Sequence, residues 1–146
     1  MKRFLLLCVA LVALVFVGCT KDDAGHKVDG KSIEGRWVCV AEKYDGEYYE
    51  YYDQVDTILD INGDTAYEYY HPEECFLFED GYIYGTSFEE FEKDPMLVMS
   101  IKGDYVSILG IPCGKLSFQG DRLRFESTFT EEESILYFER LKGFRE

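Results

Sequence analysis

The chain has 146 residues, of which 47% are hydrophobic and 16% aromatic. That is the length of one ordinary domain, and it is too apolar for a disordered segment. Its 29 acidic residues against 15 basic ones give a formal charge of −14, which excludes general binding to a phosphate backbone, so no nucleic acid partner is expected.

The chain opens on Met1-Lys2-Arg3 and continues into an unbroken apolar run from Phe4 to Val17. The run is shorter than the roughly 20 residues a membrane-spanning helix needs. A basic start, a short apolar stretch and a small residue before a cut describe a secretory signal, here residues 1–18. Phe16-Val17-Gly18-Cys19 resembles a bacterial lipobox, with Gly18 before the cut and Phe16 standing where Leu is usual. The resemblance implies that Cys19 becomes the mature N-terminus, carrying a diacylglyceryl thioether and an amide-linked acyl chain such as palmitate. Each buried CH₂ contributes about 0.8 kcal/mol, and stable anchoring takes more than one chain. Lys21-Asp22-Asp23 looks like the surface-export signal of lipoproteins in one group of Gram-negative bacteria, although a solvated linker accounts for the same charges. The expected location is therefore the cell envelope of a Gram-negative bacterium, on the outer membrane, with either leaflet open. Residues 19–31, charged and almost without apolar side chains, read as a lipidated flexible tether, and residues 32–146 as one folded domain.

From Ser32 onward short β-prone runs alternate with turn dipeptides: Asp45-Gly46, Asn62-Gly63, Asp80-Gly81, Gly103-Asp104 and Gly120-Asp121. These tolerate the positive φ that tight hairpins require. The runs have a period of two. Val55, Thr57, Leu59 and Ile61 share one face, Leu123 and Phe125 oppose Arg122, Arg124 and Glu126, and Leu116 and Phe118 alternate with polar neighbours. One buried and one wet face is the antiparallel pattern. Strands are predicted at about 35–44, 48–52, 55–62, 65–70, 75–79, 82–86, 96–102, 105–110, 114–119, 122–128 and 134–142. Ser87-Phe88-Glu89-Glu90 has capping-box spacing, and Asp94-Pro95 would end such a segment, so one short helix is predicted at 88–93. The fold class is all-β, a small antiparallel up-and-down meander closed into a barrel, because closure removes the sheet edges that invite aggregation.

Gly35-Arg36-Trp37 in the first strand and Tyr137-Phe138-Glu139-Arg140 in the last resemble the pattern of lipocalin-like domains of bacterial lipoproteins, over about residues 32–142. The resemblance implies a barrel whose closed end is plugged by Trp37, with Arg140 packed over the ring and Gly35 beside it. A guanidinium over an indole gains about 0.5–2 kcal/mol, and here it would fasten the first strand to the last. An eight-stranded barrel is just wide enough to be filled by side chains or to hold one small ligand. Trp37, Tyr67, Tyr69, Phe76, Phe78, Phe118, Phe125, Phe129, Tyr137 and Phe138 all compete for its interior, so a hollow and a filled barrel both stay open.

No catalytic residue, metal site or cofactor is assigned. Asp60, Asn62 and Asp64 alternate like the start of a calcium loop, but Gly63 falls where a hairpin turn is expected. His71 with Glu73, Glu74 and Cys75 is an unspecific set. His26 lies in the predicted tether, which leaves His71 alone for any triad, so an enzyme is not expected. Of Cys39, Cys75 and Cys113, Cys39 reads as a small buried hydrophobe and Cys75–Cys113 as the preferred pair, should a disulfide form. The most unusual stretch is Tyr44, Tyr48, Tyr49, Tyr51 and Tyr52, with Tyr67 and Tyr69 further on; these seven are the candidate binding residues for a small apolar or glycan-like ligand. Two readings result: a lipocalin-like cup that holds such a ligand, or a filled acidic barrel that captures a basic protein partner. A cavity above about 300 Å³ would favour the first.

Overall fold

Residues 26–146 are described by the structure, a computed structural model. Cys19, the signal peptide, the lipobox and the Lys-Asp-Asp run lie outside the described residues. The strands in chain order are β1 (Lys27–Val28), β2 (Lys31–Ser32), β3 (Gly35–Tyr44), β4 (Glu47–Glu50), β5 (Thr57–Asn62), β6 (Thr65–Tyr70) and β7 (Leu77–Glu79). They continue as β8 (Tyr82–Tyr84), β9 (Glu92–Lys102), β10 (Tyr105–Ile108), β11 (Ile111–Gln119), β12 (Arg122–Ser127), β13 (Ser134–Arg140) and β14 (Gly143–Arg145).

Eight of these, β3, β5, β6, β9, β10, β11, β12 and β13, pair in that order, and β13 pairs back onto β3. The result is a closed antiparallel barrel of meander order, a lipocalin-like fold. Closure runs the length of β13, from Ser134 opposite Tyr44 to Arg140 opposite Trp37. Most of the predicted turn dipeptides are the two-residue connections themselves. Asp45 and Asp80 adopt φ of +49° and +54°, which an Asp side chain tolerates. At Asn62-Gly63 the turn is displaced by one residue, because Asn62 still pairs with Thr65.

Strand β3 reads Trp37-Val38-Cys39-Val40-Ala41, apolar throughout rather than alternating, and its surroundings account for it. Trp37 and Cys39 face the barrel interior, where they meet Leu59, Ile61, Leu116, Leu123 and Phe138. Val38 and Val40 face outward into a second core. Val40 is an extra residue between the pairs Cys39–Phe138 and Ala41–Tyr137, so the alternation inverts there and Ala41 also faces outward. The outer core is roofed by a small sheet in which β8 pairs with β7 and, in parallel, with β14. Phe78, Ile83 and Phe144 of that sheet, with Phe76 and Phe91, cover the outward faces of Val38, Val40, Ile58 and Ile135.

Three expectations are corrected. The predicted helix at 88–93 is only a 3₁₀ turn, Phe88–Glu90: Ser87 makes no side-chain cap bond, and Phe91 is already extended at φ −86°, ψ 137°. Pairing of Glu92 and Lys93 with Tyr70 and Tyr69 wins over the local helix signal. Asp94-Pro95 then sits in a bulge between the pairs Tyr69–Lys93 and Tyr67–Val98, where the missing proline N–H costs no ladder bond. The predicted strand at 105–110 ends at Ile108, and the chain reverses at Leu109-Gly110 before Ile111. Residues 26–31, read from sequence as tether, belong to the fold: β1 and β2 form a hairpin whose Val28 is fully buried, with Ile33 beside it, against the interior core.

Candidate functional site

The barrel interior contains a cavity of about 560 Å³. One end is sealed by the N-terminal hairpin, which bonds to three successive barrel turns. His26 Nε2 donates to the Gly103 carbonyl at 2.5 Å, Lys31 Nζ donates to the Gly120 carbonyl at 2.8 Å, and the Glu34 carboxylate accepts from the Gly63 amide at 2.5 Å. Behind this lid lies Trp37, packed on Phe118 with ring centroids 5.9 Å apart, its Nε1 donating to the Ile33 carbonyl at 2.9 Å. Arg140 reaches over the indole face, 4.2 Å from the ring centroid, and its two terminal nitrogens donate to the Glu34 and Ser32 carbonyls at 2.6 and 3.0 Å. Gly35 has φ +108°, and a Cβ there would stand 3.3 Å from the Arg140 guanidinium. Gly35 and Trp37 of the first motif thus meet Arg140 of the second at the sealed end, while Tyr137 faces the outer core.

The opposite end is open. Its rim is made by the Leu109-Gly110 turn and the loop between β12 and β13, and it is apolar: Leu109 is 87% exposed and Phe129 71%, and both line the cavity. Leu109 has φ +52°, a conformation that a bulky side chain rarely adopts. The walls are Leu59, Ile61, Leu116, Phe125 and Phe138, and few polar groups interrupt them: Thr57, Ser127, the thiols of Cys39 and Cys113, and the carboxylate of Glu68. Burial, with Asp94 and Asp56 adding like charge, holds the Glu68 carboxyl above its ordinary value. Among the described residues no Lys, Arg or His makes an ion pair with it.

Burial pushes the Cys39 thiol up to about 12, with the carboxylates of Glu42, Asp56 and Glu68 contributing, and burial also raises Cys113, whose Sγ donates to the Val106 carbonyl at 3.3 Å. Neither is the thiolate that a nucleophile requires. The preferred pairing of Cys75 with Cys113 does not form. Cys113 lines the cavity, Cys75 is exposed in the connection between β6 and β7, and all three thiols are free. His71 is engaged locally, its Nδ1 accepting from the Glu74 amide at 3.0 Å while its ring packs edge-on against Phe76 and Phe91.

The seven tyrosines named from sequence are not in the cavity wall. Tyr48 and Tyr52 hydroxyls accept from Arg122, which is also ion-paired with Glu139 at 3.4 Å and Glu50 at 3.7 Å, on the outer surface of the barrel. Tyr49 donates to Glu47, and Tyr44 to Glu132. Tyr51 bonds through its backbone amide to the Val40 carbonyl at 2.7 Å. Tyr67 lies under Lys93, whose Nζ is 3.6 Å from the ring centroid, and Tyr69 packs at a tilt against Phe88, ring centroids 4.8 Å apart, in the outer core. On β6 the inward residues are instead Ala66 and Glu68.

That distribution accounts for the empty volume. Of the ten aromatics competing for the interior, Trp37, Phe118, Phe125 and Phe138 pack there and Phe129 stands at the rim. Phe76, Phe78, Tyr137 and Tyr69 serve the outer core, and Tyr67 stands under Lys93. No family model, curated protein or solved structure matches the chain.

Proposed function

We propose that the chain is a lipid-anchored protein of the Gram-negative cell envelope whose barrel holds a small apolar ligand, without catalysis. The observation that carries the reading is the internal volume of about 560 Å³, open at one end and walled by aliphatic and aromatic side chains. It falls within the 300–1,000 Å³ common for small-molecule sites, which are typically apolar with a few placed polar groups. Moving an apolar body from water into such a space gains about 25 cal/mol for each Å² removed from solvent. A glycan has less support, because the tyrosines that would stack on sugar rings lie outside the wall. Capture of a basic protein by a filled acidic barrel lacks the packed interior on which it rested.

The anchor is carried by Cys19 in its lipobox-like setting. It is tested by metabolic labelling with palmitate: the native chain takes up label and moves with the membrane fraction, and Cys19→Ala does neither. Unlabelled native protein would end that half of the proposal. The cup is tested with the neutral fluorophore N-phenylnaphthylamine. Ala66 is buried in the cavity wall, so Ala66→Phe places a ring inside the volume. Native protein should bind the fluorophore, and the variant at least about tenfold more weakly, while both keep the same far-ultraviolet dichroism. A folded Ala66→Phe that binds as well as native protein would show the probe to be elsewhere.

A further inference from the structure

The cavity wall carries one ionisable side chain that apolar packing does not explain. Glu68 stands on β6 opposite Leu59 of β5, among Leu59, Leu97 and Met99. On its other side the chain bulges through Asp94 and Pro95 instead of offering a ladder partner. A carboxylate placed against hydrocarbon without a counter-ion is costly unless something pairs with it. Two charged groups in its neighbourhood make matters worse: Asp94 and Asp56 are of like sign. Both are engaged, Asp56 accepting from the Thr57 hydroxyl at 2.9 Å and Asp94 from the Met96 amide at 2.9 Å, whereas the Glu68 side chain makes no hydrogen bond or ion pair among the described residues. The same space presents the rings of Phe125, Phe129 and Phe138. An aromatic face and a carboxylate are the two groups that attract an organic cation.

We propose that the natural ligand is a cationic amphiphile, an apolar chain or ring system bearing a protonated amine or quaternary ammonium, with Glu68 pairing its charged group inside the cup. This rests on the ligand-binding reading above and adds the ligand's chemical class. A neutral ligand would leave Glu68 half-buried and unpaired. An anionic one would meet the Glu68 carboxylate, and no Lys, Arg or His lines the cavity to pair with it.

The test compares three probes of equal chain length by calorimetry: dodecyltrimethylammonium, dodecanol and dodecanoate, each below its micelle concentration. Native protein should bind the ammonium at least about tenfold more tightly than the alcohol, and the carboxylate most weakly. Glu68→Gln should erase the preference for the ammonium while leaving the alcohol within about twofold. Asp121→Asn, an equal loss of charge on an exposed turn at the sealed end, should keep the preference and so separate pairing at Glu68 from general attraction to an acidic protein. Equal binding of ammonium and alcohol by native protein overturns the proposal but leaves the cup intact, as does a preference that survives Glu68→Gln. If no probe binds the native protein, the cup itself is wrong and the ligand class falls with it.

Discussion

Removing the Arg140 side chain should loosen the sealed end of the barrel measurably. Its guanidinium makes three contacts that tie the end of β13 to the start of the fold: the Trp37 face at 4.2 Å, the Glu34 carbonyl at 2.6 Å and the Ser32 carbonyl at 3.0 Å. A hydrogen bond from a charged donor contributes about 1.5–3 kcal/mol when dry. Arg140 is exposed, and water replaces part of each bond once the side chain is gone, so about 0.5–1 kcal/mol apiece is the better figure here. The ring contact adds about 0.5–1 kcal/mol at an exposed site. Arg140→Ala should therefore cost about 1.5–3 kcal/mol, which lowers the melting temperature of a domain of this size by roughly 5–15 °C. Arg140→Lys keeps the charge but cannot fork to two carbonyls while lying flat on the indole, so it should recover less than half of the loss. Urea unfolding followed by fluorescence suits the question, because Trp37 is the only tryptophan and lies under the group being removed. An Arg140→Ala variant within about 0.5 kcal/mol of native protein, or a lysine variant equal to it, would refute the view that this contact closes the barrel.

Other expectations bear on the wall and its titratable groups. At Gly114 a Cβ would lie 2.3 Å from Phe125 ring atoms and 2.8 Å from the Glu126 carbonyl, and backbone cannot yield as a flexible side chain can; Gly114→Ala should lose about 1–3 kcal/mol by calorimetry, and a neutral result would contradict the close strand approach. Glu68 has a raised pKa in the fold, so the folded state holds its proton more tightly than the unfolded chain and stability falls as pH rises above the ordinary value of 4.5. Glu68→Gln should accordingly be more stable than native protein at pH 7, with the difference shrinking as the solution is acidified below that value, in urea titrations run across the range. With Cys39 pushed up to about 12 and Cys75 exposed, iodoacetamide near neutral pH should modify Cys75 first and Cys39 last, as peptide mass spectrometry would record. Early labelling of Cys39 would mean that the wall opens.

The meander was legible because its turns are made of residues that take positive φ without strain, such as Asp45-Gly46 and Asp80-Gly81. The Leu109-Gly110 reversal was not, since nothing in a leucine announces φ +52°. The 88–93 helix failed where strand pairing, a long-range interaction, outweighed a local capping signal. Faces of strands were readable where one side is wet, as for Leu123 and Phe125 against Arg122 and Arg124. They were not readable where both sides are buried. Tyr67 and Tyr69 are more apolar than Glu68, so hydrophobicity alone turned β6 the wrong way. The register contained the answer: a two-residue turn after Asn62 sets Ile61 against Ala66 and Leu59 against Glu68, and cross-strand partners share a face. With Leu59 and Ile61 interior, that register carries Glu68 in with them. The small sheet of β7, β8 and β14 had no such signal, because a parallel pairing with the last residues of the chain is invisible to local pattern.

The hairpin of β1 and β2 fixes more than the seal. The hairpin lies at the barrel's base, so the proposed acylation of Cys19 would put the leash at the bottom of the vessel. Leu109 and Phe129 stand at the opposite pole. On the proposed reading, cargo would be exchanged with the surrounding fluid rather than drawn from the leaflet underneath.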